Sequence, residues 1–260
     1  MTSLTVRDAR QFVQEAELPP APPALRASRD PSLAPVFDGT KNQAAVVGSD
    51  VVSFVTGVTP ERREAIVNSS LLAQLVAKHK VPDATRIKEW YDEYFDVLAN
   101  IGWVIQHRDS AMYRESSKNL ETHKAILAVA ATVLGAAPTA LALVKTTLDA
   151  LRSMDKDSPW ITIFNKESQH ARTARFQVSL AHEDSAGQFM VTLMAFGLEA
   201  KSTITQVLFF RVKKNDAVLR HYSGEVTINT GVLDSVREPL KAKLVAHASQ
   251  FIAKLPDLSG

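Results

Sequence analysis

Apolar positions recur at helical spacing through the first half of the chain and alternate through much of the last third. Ile66, Val67, Leu71, Leu72, Leu75 and Val76 keep a period near 3.6, which predicts a helix from about Pro60 to Lys80. Its start is marked by Thr59-Pro60-Glu61: a capping hydroxyl, a proline at the first helical position and an acid near the positive end of the dipole. Pro82-Asp83 restarts the chain. Ile87, Trp90, Tyr91, Tyr94, Leu98, Ile101 and Ile105 then form one stripe, with Glu89, Asp92, Glu93 and Asp96 beside or opposite it, so a second helix with one wet face is expected. Upstream, Val6 to Glu15 fits a short helix, Pro19 to Pro23 an extended segment, and Pro31 and Pro35 an irregular one. β-branched residues around Gly48 predict a short strand within 41–54.

Lys124 and Lys145 bracket twenty residues without a charge, 125–144 (AILAVAATVLGAAPTALALV). That is the minimum length for a helix crossing a lipid core. Its eight large aliphatics supply roughly −2 to −5 kcal/mol on an insertion scale, against which an interior Pro138 costs about 3 kcal/mol. Gly135-Ala136-Ala137-Pro138 reads as a stop and a restart, and the second helix continues past Lys145 through Leu148 and Leu151. The expectation is a buried helical hairpin rather than a membrane span, with release onto lipid as the competing reading.

Beyond Asp157-Ser158-Pro159 the period changes from near 3.6 to 2, and strands are expected at 160–165, 174–182, 188–196, 204–212, 217–222 and 225–229. In the second of these Phe176, Val178 and Leu180 alternate with Arg175, Gln177 and Ser179, the pattern of a sheet with one wet face. Segments 188–196 and 204–212 are apolar on both sides and are expected to lie centrally. A closing helix is expected over 234–255, with Pro239 in its first turn and Leu240, Leu244, Ala248, Phe251 and Ile252 inward. The fold class is therefore α+β: N-terminal helices and a buried apolar hairpin packed on one side of a largely antiparallel sheet, with a C-terminal helix. Residues 1–40 form a proline-rich arm and 41–260 a single domain.

Composition narrows the chemistry. A formal net charge of +2 over 260 residues argues against a nucleic-acid partner, which calls for a concentrated basic face. The chain has no cysteine, so disulfides, thiolate metal sites and thioester-linked lipids are excluded. The opening residues lack the apolar core of a secretory signal, which predicts synthesis in the cytoplasm and, if exported, a non-classical route to a peripheral place on membranes. Asp92-Glu93-Tyr94-Phe95-Asp96 matches the acidic magnesium motif of terpenoid synthases, but the second motif of that family is missing and any acidic helix face produces the first. The seven histidines include no pair four residues apart, and no nucleophile elbow, phosphate loop or dinucleotide fingerprint occurs. No catalytic residue and no metal ligand is assigned.

Several segments resemble the family typified by the Erwinia virulence factor, found in bacteria and fungi: 51–57 (VVSFVTG), 68–75 (NSSLLAQL), 90–106 (WYDEYFDVLANIGWVIQ), 143–151 (LVKTTLDAL), 161–165 (ITIFN), 176–178 (FQV) and 207–210 (VLFF). The resemblance implies an α/β fold and a virulence-type role, persistence in or toxicity towards an insect host, with a fatty acyl group held on a cysteine in the founding member. Without a cysteine this chain departs from that chemistry, and what carries over is a fatty acid held non-covalently. The expected function is thus non-enzymatic binding of lipid or fatty acid, or engagement of a membrane surface. Ile126, Leu127, Leu134, Leu141, Phe189, Phe196, Phe209 and Phe210 are the candidate contacts, at the seam between hairpin and sheet, and no other cofactor is expected. The alternative is an interaction module or secretion-system cargo with a filled core, and an enzyme of unstated class would need polar groups converging in a pocket.

Overall fold

The computed structural model describes residues 4–20, 36–105, 119–135, 137–183, 188–213 and 216–255. Pro22, Pro23, Pro31 and Pro35 of the expected arm lie outside the described residues. The chain runs α1 (Val6–Glu15), β1 (Gln43–Val47), β2 (Asp50–Phe54), α2 (Pro60–Lys80), α3 (Ile87–Asn100), β3 (Trp103–Ile105), β4 (Asn119–Glu121), α4 (Thr122–Leu134) and α5 (Pro138–Ser153). It continues through α6 (Pro159–Ser168), β5 (Gln169–His170), β6 (Thr173–Glu183), β7 (Phe189–Ala200), β8 (Arg211–Lys213), β9 (Ala217–Ile228), α7 (Thr230–Phe251) and β10 (Ile252–Lys254). The class is α+β, as expected. The main sheet has the order β10-β1-β2-β6-β7-β9-β3, with β5 beside β6, and β4 and β8 form a separate ribbon. Every pairing is antiparallel except β2 with β6.

Helices cover both faces of this sheet, not one. The core of one face joins α1, α2, α3 and α7 to residues such as Val52, Phe54, Val191 and Leu193. The other joins α4, α5 and α6 to Val51, Phe176, Val178, Met194 and Phe196. The pleat, with its period of two, hands successive residues of β2, β6 and β7 to opposite cores. The polar side of β6 is accordingly buried: Arg175, Gln177 and Ser179 are 4%, 0% and 2% exposed. The expected wet face does not exist, because α2 and α3 cover it.

Local signals place most helices. Thr59 caps α2, its Oγ1 accepting from the Arg62 amide, and Pro60 opens the helix. Arg63, in its first turn, is fully buried and donates to the carbonyls of Lys41, Val55 and Val58 and to Gln43 Oε1, tying two loop segments and β1 to the helix. Gly135 adopts φ +50° after α4 and Pro138 opens α5, so the hairpin breaks where the stop and restart were read. The Leu148 and Leu151 side chains on the extension of α5 are buried.

Four expectations are corrected. Residues 160–165 are helical: Ser158-Pro159 is a helix start, and Ile161, Phe164 and Ser168 are buried at helical spacing. The run of alternation there is too short to tell strand from helix. Residues 204–210 are not a strand either, since both edges of β7 are occupied by β6 and β9. Instead the Ile204 amide donates to the Ala171 carbonyl and the Val207 amide to Asn165 Oδ1. The second stripe stops at Asn100, where Gly102 at φ +99° turns the chain into β3. The segments 217–222 and 225–229 are one strand, β9.

The closing helix also differs, in both its ends and its proline. It starts at Thr230, ends at Phe251 and yields β10, which pairs with β1. Pro239 therefore sits inside α7 rather than in its first turn. A proline there has no N–H for the carbonyl four residues back. Arg10 of α1 supplies the missing donor, its Nε lying 3.0 Å from the Ser235 carbonyl. Lys243 to the Gln14 carbonyl and His247 to the Pro19 carbonyl continue the seam between α1 and α7.

Gly102 carries the sharpest backbone requirement, since a Cβ there would lie 3.1 Å from the Val232 side chain in addition to its positive φ. Gly102→Ala is expected to lose about 1–3 kcal/mol, read as the unfolding free energy in urea. A variant as stable as the parent would show that the turn relaxes freely.

Candidate functional site

The seam between the hairpin and the sheet is filled. Ile126, Val144, Leu148 and Phe196 have no exposed surface, Leu134 and Phe210 are buried, and Leu127, Leu141 and Phe209 pack partly buried at the margin of the same core. Phe196 stacks on Phe176 with ring centroids 5.0 Å apart, and Ser53 and Thr147 hydroxyls meet at 3.0 Å between β2 and α5. Phe189 stands apart from the other seven candidates. It points into the opposite core, under the Arg62 guanidinium at 5.1 Å.

Space opens at one end of this seam, where α5, α6 and the segment before β8 meet. A cavity of about 300 Å³ is floored by Leu151, Ile161, Phe164 and Leu208, with Met154 and Phe209 at its side. Arg152, Lys156 and Arg211 are exposed members of its lining, and Asn165 and Gln206 complete it. Arg211 lies 3.7 Å from Glu121, and Lys124 reaches the same carboxylate at 3.1 Å. Of the eight candidates read from the sequence, Phe209 lines this cavity. The floor was missed because 160–165 reads as a strand. The Ser158-Pro159 start, with Ile161 and Phe164 three residues apart, is the signal that identifies it.

The opposite face of the sheet carries a buried polar layer that sequence reading took for a solvated surface. Asp50 is 1% exposed and accepts from Ser70 Oγ at 2.8 Å and from Ser179 Oγ at 3.0 Å. Ser70 in turn accepts from Gln74 Nε2 at 3.1 Å, and Gln74 Oε1 accepts from the Ser49 amide and hydroxyl. Gln177 links Ser49 to the Tyr91 hydroxyl, which donates to the carbonyls of the paired residues Phe176 and Phe196. Burial pushes the Asp50 carboxyl up to about 7, against the lowering effect of its two serine donors. Burial, reinforced by the Asp50 charge, raises the Tyr94 hydroxyl well above its usual value. The layer ends at Arg175, whose guanidinium stacks on Trp90 at 4.8 Å. Hydroxyls, amides and one carboxylate bonded to one another hold helix to sheet. They do not surround a space for a substrate.

Two acids of the α3 motif are paired with lysines, Lys88 with Asp92 at 2.7 Å and Lys80 with Glu93 at 2.7 Å, and the third, Asp96, accepts from Asn100 Nδ2. Among the described residues no group of three or more His, Asp or Glu side chains is placed to hold a metal, and no helix is long and apolar enough to cross a membrane.

No family model and no curated protein matches the sequence. Among solved structures the chain is similar to the Evf virulence factor at 12% identity, covering 91% of this chain and 90% of that one with a TM-score of 0.37. It is similar to a delta-endotoxin at 13% identity, covering 74% of this chain and 90% of that one with a TM-score of 0.36. Both are distant likenesses of fold.

Asp50 makes stability depend on pH in a defined direction. Its folded value lies above the ordinary carboxylate value of 3.8, so its contribution is complete below about pH 4 and is lost as pH rises through 7. Asp50→Asn keeps the size and removes the charge. Between pH 5 and 8 the parent should lose about 2–3 kcal/mol relative to this variant, measured by urea unfolding at the two pH values. Parallel pH profiles would place the titration elsewhere.

Proposed function

We propose that this protein binds an amphiphile with an anionic head, of the fatty-acid class, non-covalently and without catalysing a reaction. The observation that carries the reading is the cavity of about 300 Å³ with an apolar floor and Arg152, Lys156 and Arg211 in its lining. Its size is at the lower end of small-molecule sites. Four aliphatic and aromatic side chains suit an acyl chain, and the cations suit its carboxylate. The absence of cysteine rules out a thioester link to such a ligand. The sequence resemblance adds the setting, a virulence-type protein acting on an insect host. Engagement of a membrane surface is then delivery or extraction of the amphiphile, not insertion of the hairpin.

A second reading has an observation of its own. The filled seam around Ile126, Val144, Leu148 and Phe196 suits an interaction module or secretion cargo whose core takes no ligand. The two readings separate at the cavity.

Phe209→Trp places a reporter at the cavity wall, and titration with dodecanoate should shift its emission saturably. Native mass spectrometry should show one bound chain. Reversing both Arg152 and Arg211 to Glu should weaken dodecanoate about tenfold, as loss of roughly 1.4 kcal/mol implies, and leave dodecanol unaffected. Absence of a saturable shift and of a bound chain would sink the amphiphile reading and leave the filled module.

A further inference from the structure

Arg175 is a buried cation without a directly paired carboxylate, Asp83 acting on it only from beyond contact distance. It rises from the third residue of β6 into the layer beneath α2 and α3, and is 4% exposed. Among the described residues no carboxylate lies within ion-pair distance of it. Its Nη2 has one polar neighbour, His170 Nε2 at 3.4 Å, and its Nη1 has no hydrogen-bond partner. The indole Nε1 of Trp90, on which the guanidinium stacks, is buried without a partner as well. Two buried, unmatched donors on adjoining side chains call for a specific explanation, because a buried donor is costly unless something accepts from it.

Both side chains line the same small cavity, together with Ser49, Gln74, Lys78 and Glu167. Its volume is about 20 Å³, enough for a particle the size of one water and too little for a tetrahedral oxyanion. Glu167 does not supply the missing acceptor: Lys78 holds it at 2.9 Å, with Lys166 at 3.9 Å. The Gln74 carbonyl oxygen is occupied by the amide and hydroxyl of Ser49. Burial, then the charges of Arg175 and Lys78, pull His170 below its usual value, so it is neutral at neutral pH. The lining therefore carries two positive charges and one negative, an excess of one.

We propose that this cavity is a binding site for a single monovalent anion of halide size, accepting from Arg175 Nη1 and Trp90 Nε1. Such an ion neutralises the excess charge, satisfies both donors, and completes the polar layer joining β6 to α2 and α3. It acts as a structural ligand on the sheet face opposite the acyl cavity, so its presence is independent of the proposed function.

The test varies chloride at fixed ionic strength, with gluconate as the replacement anion, and follows the unfolding temperature and the 35Cl line width. The expected result is a saturable rise in unfolding temperature that bromide reproduces and sulfate does not, and a broadened chloride line that bromide, but not sulfate, narrows by displacement. Trp90→Phe keeps the ring and removes one donor, and should weaken chloride several-fold in a folded protein. Arg175→Met should abolish the dependence. Absence of a saturable chloride effect in the parent would overturn the site and leave a water in the cavity. Chloride affinity unchanged in Trp90→Phe would overturn the assigned donors, and competition by sulfate equal to that by bromide would overturn the size argument.

Discussion

A sheet covered on both faces must bury whatever its central strands carry, and β6 carries a polar face. Everything particular about this molecule follows from that requirement. Phe176, Val178 and Leu180 enter an apolar core without difficulty, while Arg175, Gln177 and Ser179 enter the opposite one only because α2, α3 and β2 bring matching groups. Asp50 meets Ser179, Ser49 and Tyr91 meet Gln177, and Ser70 and Gln74 of α2 hold Asp50 and Ser49 in place. A buried hydrogen bond adds little net stability, but a missing one costs a good deal. The layer thus specifies one register between helices and sheet more than it stabilises that register.

The two cores divide the labour. The one beneath α4 and α5 is apolar almost throughout and close-packed except where it meets α6. The one beneath α2 and α3 is interrupted by polar groups whose partners are fixed in direction. Among the described residues, that layer holds a carboxylate with no cation in contact and a guanidinium with no carboxylate in contact, and the two do not meet each other. Asp50 is accommodated by hydroxyl donors and by taking up a proton readily, whereas Arg175 leans on an aromatic face.

Local chemistry was legible in the sequence, and what lies across from it was not. Thr59-Pro60 and Gly135-Pro138 act through the residues next to them, and the helices begin and break there. The alternation in β6 was equally plain, but periodicity reports that two faces differ and not whether the polar one meets water. The cavity beside α6 was missed by the same logic at one remove. With 160–165 read as a strand, Ile161 and Phe164 fall on opposite faces, whereas in α6 they share one and floor the cavity. Pro239 suggested a helix start because nothing near it in sequence announces Arg10, more than two hundred residues earlier, as the substitute donor.

That substitution gives the first twenty residues a structural duty. Without α1, the carbonyl of Ser235 would lose the donor that Pro239 denies it, and the apolar contacts of Ala9 and Val13 would be stripped from the neighbouring core. A shortened form beginning at the first strand would not be a trimmed version of this fold but a wounded one, with an open rung midway along its longest rod.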